Sequence, residues 1–173
     1  MDKDEVVVRQ ALFTDVRGIY TLIKGNTDML VPRSMSDVVQ HIDRFLVAEC
    51  GGELVGAIAY EFLPEIGDAE RTSVELQSVC VKEAWRNRGI GQMLVRKQIE
   101  RLLPLKPYQL VVLTFAEKFF EKLGFHAVPK QTMMHKLYMG CINCTKHESP
   151  FTCPEVAMVM PIEDRQSSSE GRR

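Results

Sequence analysis

The sequence predicts a single-domain α/β protein with a mixed central sheet and helices on both faces of that sheet. Three observations indicate this fold class. Apolar segments with strand character alternate with segments whose apolar residues recur at helical spacing. The pair Gly51-Gly52 separates two apolar segments, a pattern typical of β-hairpins. The 173 residues are enough for one domain with a sizeable core.

For the N-terminal part of the chain, the sequence predicts a short strand followed by two helices. Residues 6–9 have the composition of a strand. Thr14 and Asp15 can cap a first helix, because their side-chain oxygens accept bonds from the unpaired N–H groups of a first turn. The pattern Ser34-x-x-Asp37 is a capping signal for a second helix. Apolar residues at helical spacing follow the two caps: Val16, Ile19, Tyr20 and Ile23, and then Val38, Val39 and Ile42.

The rest of the chain predicts six strands and two further helices. The strands lie at residues 46–50, 54–62, 74–81, 108–114, 125–128 and 156–160, with a polar turn at 64–71. One helix follows Gly91 and ends at Pro104, and its apolar residues are Val95, Ile99, Leu102 and Leu103. The other helix follows Thr114 and ends at Gly124. Residues 1–162 are therefore predicted to form the domain, and residues 163–173, rich in Ser, Gly and Arg, a disordered tail.

Residues 86–91 have the features of a diphosphate-binding turn, and we call them the glycine turn. They lie between the buried strand and the third helix, whose start presents unpaired N–H groups and the positive end of the helix dipole. Gly89 and Gly91 have no Cβ, so a diphosphate can approach the main chain closely. Arg86 and Arg88 add positive charge. The dinucleotide fingerprint and the phosphate loop of nucleotide hydrolases have other spacings, and neither occurs in the sequence.

The spacing Arg86-x-x-Gly89-x-Gly91 after an apolar strand resembles the acetyl-CoA motif of the GCN5-related N-acetyltransferases (GNAT). The order of the predicted elements is also similar to that superfamily, over residues 6–128. The resemblance implies acetyl-CoA as the co-substrate and direct transfer of the acetyl group to an amine. It implies cofactor contacts at Val79, Cys80, Val81, Arg86, Asn87, Arg88, Gly89, Ile90, Gly91 and Phe120.

Four segments in the same order resemble N-acetylglutamate synthase, in the short form without an amino-acid-kinase domain. They are residues 30–34, 74–81 and 111–114, and the pair Phe119-Phe120. The resemblance implies L-glutamate as the acceptor, at the start of arginine synthesis. Many acetyltransferases have a tyrosine at the Phe120 position that protonates the departing thiolate, whereas a different residue is usual in this subfamily. Because phenylalanine has no proton to donate, water or the ammonium group of the substrate is expected to act instead.

Four polar residues are candidates for the acceptor chemistry. An α-amine is mostly ammonium at neutral pH, so its attack on a thioester needs a base. Glu75 matches the family position for that base, with a salt-bridged structural glutamate as the alternative. Arg33 is the candidate for the acceptor carboxylate, because its planar guanidinium pairs with carboxylates. Ser34 and Lys118 are further candidate contacts, with helix capping and a solvated helix face as their alternatives, whereas Cys80 is predicted to be a buried strand cysteine and not a nucleophile.

The cysteine-rich segment, residues 139–154, contains Cys141-x-x-Cys144, His147 and Cys153. These four side chains can supply the tetrahedral ligands of a structural zinc ion, in a closed site that would not be catalytic. The sequence leaves two alternatives open: reduced thiols without a metal, and a redox pair or cluster.

Composition and charge exclude several classes of function. The net charge of −1 and the lack of a long basic run argue against nucleic-acid binding. No apolar stretch approaches the roughly 20 residues of a membrane helix, and the acidic start is unlike a secretory signal, so a cytoplasmic protein is predicted. The predicted partner is a small-molecule amino acid, and a homodimer is left open. Two rival functions remain: a GNAT enzyme acting on glutamine, a polyamine or a protein amine, and a non-catalytic acyl-CoA or zinc-knuckle binding module.

Overall fold

The computed structural model describes residues 5–65, 67–133, 141, 144 and 147–162. Seven β-strands and four α-helices lie within these residues. The strands are β1 (Val6–Gln10), β2 (Leu46–Cys50), β3 (Glu53–Glu65), β4 (Asp68–Val81), β5 (Gln109–Thr114), β6 (His126–Ala127) and β7 (Val156–Pro161). The helices are α1 (Val16–Lys24), α2 (Met35–Gln40), α3 (Ile90–Leu102) and α4 (Glu117–Glu121).

The strands form one mixed sheet in the order β1-β2-β3-β4-β5-β7-β6. β1 and β2 are antiparallel, as are β2 and β3. β5 and β7 are also antiparallel, as are β7 and β6. β4 and β5 are parallel, and their ladder consists of the pairs Val74–Leu110 and Glu75–Val111. A sheet with both kinds of pairing, connected by helices, confirms the predicted fold class.

The chain divides into two compact units, of which the first contains the described residues of Met1–Glu61 and Leu76–Leu102. Its helices lie on opposite faces of its strands. Ala57 packs into the cluster formed by α1 and α2, whereas a Cβ on Gly56 would lie 2.9 Å from Leu94 Cδ1 of α3. Because neighbouring residues of a strand point to opposite faces, α1 and α3 cover different faces. A side chain at position 56 would overlap α3.

One apolar cluster of the first unit lies between α1, α2 and the strands they cover. Its buried members are Ala11, Ile19, Leu22, Ile23, Val38, Phe45, Val47, Ala57, Ala59 and Cys80. The predicted apolar face of α1 is confirmed at Ile19 and Ile23, which are fully buried. The predicted side-chain cap is wrong, because the Asp15 carboxylate makes no cap bond to α1. It accepts the N–H of Leu12 at 2.8 Å and forms an ion pair with Arg9.

The second unit contains the described residues of Phe62–Glu75 and Leu103–Arg173. One apolar cluster is formed by β5, β7 and the residues around them: Leu63, Val111, Met133, Ala157 and Val159. β7 pairs with β5 over six residues, from Thr114–Val156 to Gln109–Pro161. This six-pair ladder joins the two strands of the apolar cluster in the second unit.

Two predicted elements differ in length from those in the structure. The polar turn predicted at residues 64–71 is almost entirely strand, because β3 continues to Glu65 and β4 begins at Asp68. Polar side chains do not end a strand whose face is solvated, and here Arg71 Nε lies 3.2 Å from Glu65 Oε2. The strand predicted at residues 125–128 contracts to β6, which makes only two pairs with β7.

The predicted domain boundary at residue 162 stays a prediction. The tail predicted at residues 163–173 lies outside the described residues, as do parts of the cysteine-rich segment. Among the helices of the described residues, none has the length and apolar character needed to cross a membrane.

Candidate active site

β4 carries the residue predicted to be the catalytic base. Glu75 is only 4% exposed and stands opposite Val111 in the ladder between β4 and β5. Gln77 follows two residues later and projects from the same face, because side chains alternate along an extended strand. β4 therefore presents a buried carboxylate and an amide side by side.

Ser78 interrupts the extended backbone of β4 directly after this pair. Its φ angle is +53°, in the left-handed region, which costs an L-residue on the order of 1 kcal/mol. A side-chain bond holds it in place, because Arg33 Nε donates to Ser78 Oγ at 2.9 Å. The change of backbone direction is thus stabilised from the loop before α2.

The guanidinium of Arg33 makes two further bonds within the protein. Its Nη1 donates to Asp37 Oδ2 at 2.6 Å, and its Nη2 donates to Gln77 Oε1. The guanidinium also lies over the ring of Phe45, 5.6 Å from the centroid, and its side chain is 14% exposed. Arg33 therefore uses three of its five N–H groups to join the start of α2 to β4.

Ser34, the other candidate before α2, is the cap of that helix. Its Oγ accepts the backbone N–H of Asp37 at 3.0 Å. This geometry confirms the predicted capping pattern. Ser34 Oγ therefore has a structural role in addition to the predicted contact with the acceptor.

The glycine turn leads directly into α3, which begins at Ile90. Asn87 and Gly89 both have left-handed backbones, with φ angles of +62° and +79°. A Cβ on Gly89 would have no heavy atom within 4 Å, so the space in front of this residue is open. The Gly89 carbonyl accepts the N–H of Met93, while the N–H groups of the first helical turn have no helical partner. The turn therefore has room and donors for an anion.

The two arginines of the glycine turn both contact other residues of the protein. Arg86 Nη2 donates to Asn26 Oδ1 at 2.7 Å and Nε to the Val81 carbonyl at 3.3 Å, so its side chain extends toward the end of α1. Arg88 stacks over the ring of Trp85, 4.8 Å from the centroid. The main-chain N–H groups at the start of α3 remain as donors for a diphosphate, and the contribution of the two arginine charges stays a prediction.

Cys80 lies at the end of β4 between Val79 and Val81, both of which are half-buried. Cys80 itself is 4% exposed, and burial raises the pKa of its thiol to about 12. The thiol is therefore protonated at neutral pH, which agrees with the prediction of a buried strand cysteine. The acyl transfer has no thiolate available at this position.

Phe120 and Lys118 lie on different sides of α4. Phe120 is buried, with edge-to-face contacts to Phe119 (5.0 Å between centroids) and Phe125 (5.5 Å). Lys118 is exposed. Aromatic packing explains Phe120, and a solvated position explains Lys118, so their predicted contacts with cofactor and acceptor stay predictions.

The described residues do not bring three or more of the predicted zinc ligands together. In the described part of the chain, no group of three or more His, Cys, Asp or Glu side chains is placed to hold a metal ion. All four predicted ligands lie within the described residues: Cys141, Cys144, His147 and Cys153. Burial raises the pKa of the Cys153 thiol. Its surroundings already contain a cation, because Lys130 Nζ donates to the Cys153 carbonyl.

Three residues of the site were missed by the sequence analysis. Ser78 and Phe45 contact Arg33, and Asn26 holds Arg86. Arg33 and Ser78 are 45 residues apart in the chain, and Asn26 and Arg86 are 60 apart. No local spacing in a sequence reports such contacts.

Comparison with known proteins shows the family of the chain. A family model described as "Acetyltransferase (GNAT) domain" matches residues 41–127. An uncharacterised N-acetyltransferase of Chlorobaculum tepidum is 30% identical over 164 residues, covering 94% of this chain and all of that protein. The chain therefore belongs to the GNAT acetyltransferases.

Two further similarities concern amino-acid acetyltransferases. The amino-acid acetyltransferase of Aeromonas salmonicida is 32% identical over 130 residues, but these cover 70% of this chain and only 28% of that protein. The structure of Neisseria gonorrhoeae N-acetylglutamate synthase, complexed with coenzyme A and N-acetyl-glutamate, has a TM-score of 0.72 at 21% identity. It covers 91% of this chain and 35% of that one. At this identity the structural likeness concerns the fold.

Proposed function

We propose that the protein transfers the acetyl group of acetyl-CoA to the α-amine of L-glutamate, the first step of arginine synthesis. The observation that carries this proposal is the arrangement along β4. A buried carboxylate, Glu75, is followed by a left-handed residue braced by an arginine and then by a glycine turn at the start of α3. The relatives named as amino-acid acetyltransferases support an amino acid as the acceptor.

The glycine turn is the proposed site of the pyrophosphate of acetyl-CoA. The N–H groups from Arg88 to Gly91 and the positive end of the α3 dipole attract the diphosphate. The open space at Gly89 allows it to reach the main chain. The main-chain groups of Val79 and Val81 then bind the pantetheine arm. One of the N–H groups of Val79 and Cys80 stabilises the negative charge that develops on the thioester oxygen.

Glu75 is the proposed general base. The acceptor arrives as an ammonium ion and has to lose a proton before its nitrogen can attack the thioester carbonyl. Glu75 takes this proton, directly or through a water molecule that Gln77 orients. The amine then forms the new amide bond while the carbon–sulfur bond breaks, so no acyl-enzyme is needed. Phe120 has no proton for the departing thiolate, which water or the substrate ammonium protonates.

Arg33 is the proposed ligand of the acceptor carboxylate. Three of its N–H groups bond Ser78, Asp37 and Gln77, which leaves two for a substrate. These bonds also fix the direction of the guanidinium, so its rotamer entropy is already lost before the substrate binds. Lys118 adds positive charge and Ser34 a hydroxyl in this proposal.

An acceptor panel tests the proposal. Release of CoA thiol from acetyl-CoA is measured with L-glutamate, L-glutamine, L-aspartate, spermidine and a peptide amine, each at the same concentration. The proposal expects the highest kcat/KM with L-glutamate. A higher value with spermidine or the peptide would refute an amino-acid acceptor, and a higher value with glutamine would refute glutamate as the substrate. A homodimer and a cytoplasmic location stay predictions.

A further inference from the structure

A partly open cavity of about 540 Å³ lies beside α1 in the first unit. Arg17, Thr21 and Gly25 form one wall and follow each other at four-residue intervals, so they share one face of the helix. Leu54 of β3 and the residues directly after β4 form the other walls. The volume is in the range of small-molecule sites, which is roughly 300 to 1,000 Å³. We call this space the α1 cavity.

The walls of the α1 cavity carry an excess of positive charge. Arg17, Lys82 and Arg86 line it, against one acidic residue, Glu83. Lys82 Nζ lies 2.6 Å from Glu53 Oε1, but the side chains of that pair are 41% and 50% exposed. An exposed pair of this kind contributes little free energy, so the Lys82 ammonium can exchange Glu53 for a ligand anion. The cavity therefore favours an occupant with more than one negative charge.

The same cavity also has an apolar surface built by close packing. Leu22 is buried and Leu54 is half-buried. Leu54 contacts the backbone of α1 at Gly18, where a Cβ would lie 2.6 Å from Leu54 Cδ1. Any larger residue at position 18 would push Leu54 into the cavity. The walls thus combine exposed basic side chains with carbon surface, which suits a ligand with a short carbon skeleton.

We propose that the α1 cavity binds a compact organic dianion, either a dicarboxylate or a phosphate ester. Its anionic groups pair with Arg17 and with Lys82, and its carbon atoms contact Leu22 and Leu54. The site is distinct from the glycine turn, where backbone N–H groups at the start of α3 are the donors. Arg86 is the one residue of the glycine turn that also lines the α1 cavity.

A binding experiment with defined probes tests this site. The wild-type protein is titrated with succinate, with glycerol 2-phosphate and with acetate at constant ionic strength, by isothermal titration calorimetry. We expect saturable binding of one dianion per chain and binding of acetate at least about tenfold weaker. Succinate represents the dicarboxylates and glycerol 2-phosphate represents the phosphate esters. Saturable binding of either compound supports the site. Lack of saturable binding for both dianions would overturn it.

Matched variants locate the binding. Arg17→Gln and Lys82→Gln should each weaken the dianion about tenfold, as expected for one charge-assisted bond. The controls Arg96→Gln and Lys97→Gln remove exposed basic side chains of α3 that do not line the cavity, and they should leave the affinity unchanged. Equal weakening by the controls would show non-specific attraction and contradict the proposal.

A steric variant tests whether binding needs the open space of the α1 cavity and not only its positive charge. Thr21→Trp fills the space while every charged side chain stays in place, and it should abolish dianion binding at an unchanged thermal midpoint. The titration is repeated in saturating CoA, which should leave the dianion affinity within about threefold. Competitive displacement by CoA, or dianion binding that survives Thr21→Trp, would place the dianion elsewhere and refute the site.

Discussion

Replacing Arg33 by methionine is expected to lower both the stability of the protein and its affinity for the acceptor. Methionine keeps an unbranched aliphatic side chain over Phe45 but removes the donors to Ser78, Asp37 and Gln77. A hydrogen bond to a charged group contributes about 1.5 to 3 kcal/mol. The Asp37 side chain is 34% exposed, so water can take the place of the Arg33 guanidinium there. The lower end of this range therefore applies to the bond between Arg33 and Asp37.

The summed effect of Arg33→Met is therefore about 4.5 to 7.5 kcal/mol of unfolding free energy. For a protein of this size, about 1 kcal/mol corresponds to roughly 2 to 4 °C in Tm, so we expect a decrease of at least about 10 °C. The control Arg96→Met removes an exposed arginine of α3 and should change Tm by less than about 2 °C. The measurement is thermal unfolding followed by circular dichroism.

The kinetics of Arg33→Met separate its two proposed roles. Loss of the carboxylate ligand should raise the KM for glutamate by about tenfold or more, while the KM for acetyl-CoA changes little. Arg33→Lys keeps the positive charge but lacks the planar guanidinium, so its KM for glutamate should lie between those of the wild type and Arg33→Met. A Tm within 2 °C of wild type would refute the stabilising network. A lower Tm with an unchanged KM for glutamate would refute the acceptor contact and leave Arg33 with a structural role alone.

Three further perturbations test the proposed catalytic base, the glycine turn and one ion pair. Glu75→Gln keeps the shape but not the basicity, so kcat should fall about a hundred- to ten-thousandfold at an unchanged KM for acetyl-CoA and recover in part at higher pH; near-normal kcat at neutral pH would place the base elsewhere. Gly89→Val should raise the KM for acetyl-CoA strongly, whereas the control Gly67→Val, also at a positive φ with open space around it, should not; equal KM values in the two variants would contradict the diphosphate site. Arg9 lowers the pKa of Asp15, so this ion pair stabilises the fold above about pH 4, the ordinary aspartate range, and is lost as pH falls through the lowered pKa. Asp15→Asn should therefore cost about 1 to 2 kcal/mol at pH 7, measured by urea unfolding, and the difference from wild type should vanish in acid; a difference that persists there would not arise from the carboxylate charge.

The features that the sequence predicted correctly are those encoded over a few neighbouring residues. The cap at Ser34 depends on a bond to Asp37, three residues later, and the position of the glycine turn depends on the spacing of its glycines. The buried state of Cys80 follows from its place in an apolar strand. Such local patterns were enough to predict the fold class and the start of α3.

The features that could not be predicted depend on contacts between distant parts of the chain. The sequence marked Arg33 as a basic residue before a helix, but its bonds to Gln77 and Ser78 span 44 and 45 residues. The length of β3 and β4 depends on pairing across the hairpin, which polar side chains at residues 64–71 do not prevent. The spacing of the cysteines was compatible with a zinc site, but this spacing could not indicate the bond from Lys130 to the Cys153 carbonyl.

The burial of Cys80 has a practical consequence for how this enzyme responds to electrophiles and oxidants. With a thiol pKa of about 12, only roughly one molecule in a hundred thousand carries the reactive thiolate at neutral pH. Alkylating agents and peroxide should therefore modify the half-buried Cys141, Cys144 and Cys153 long before they reach β4. In an assay that detects CoA release with a coloured disulfide reagent, these three cysteines therefore give the background reaction of the protein, whereas Cys80 does not contribute to it.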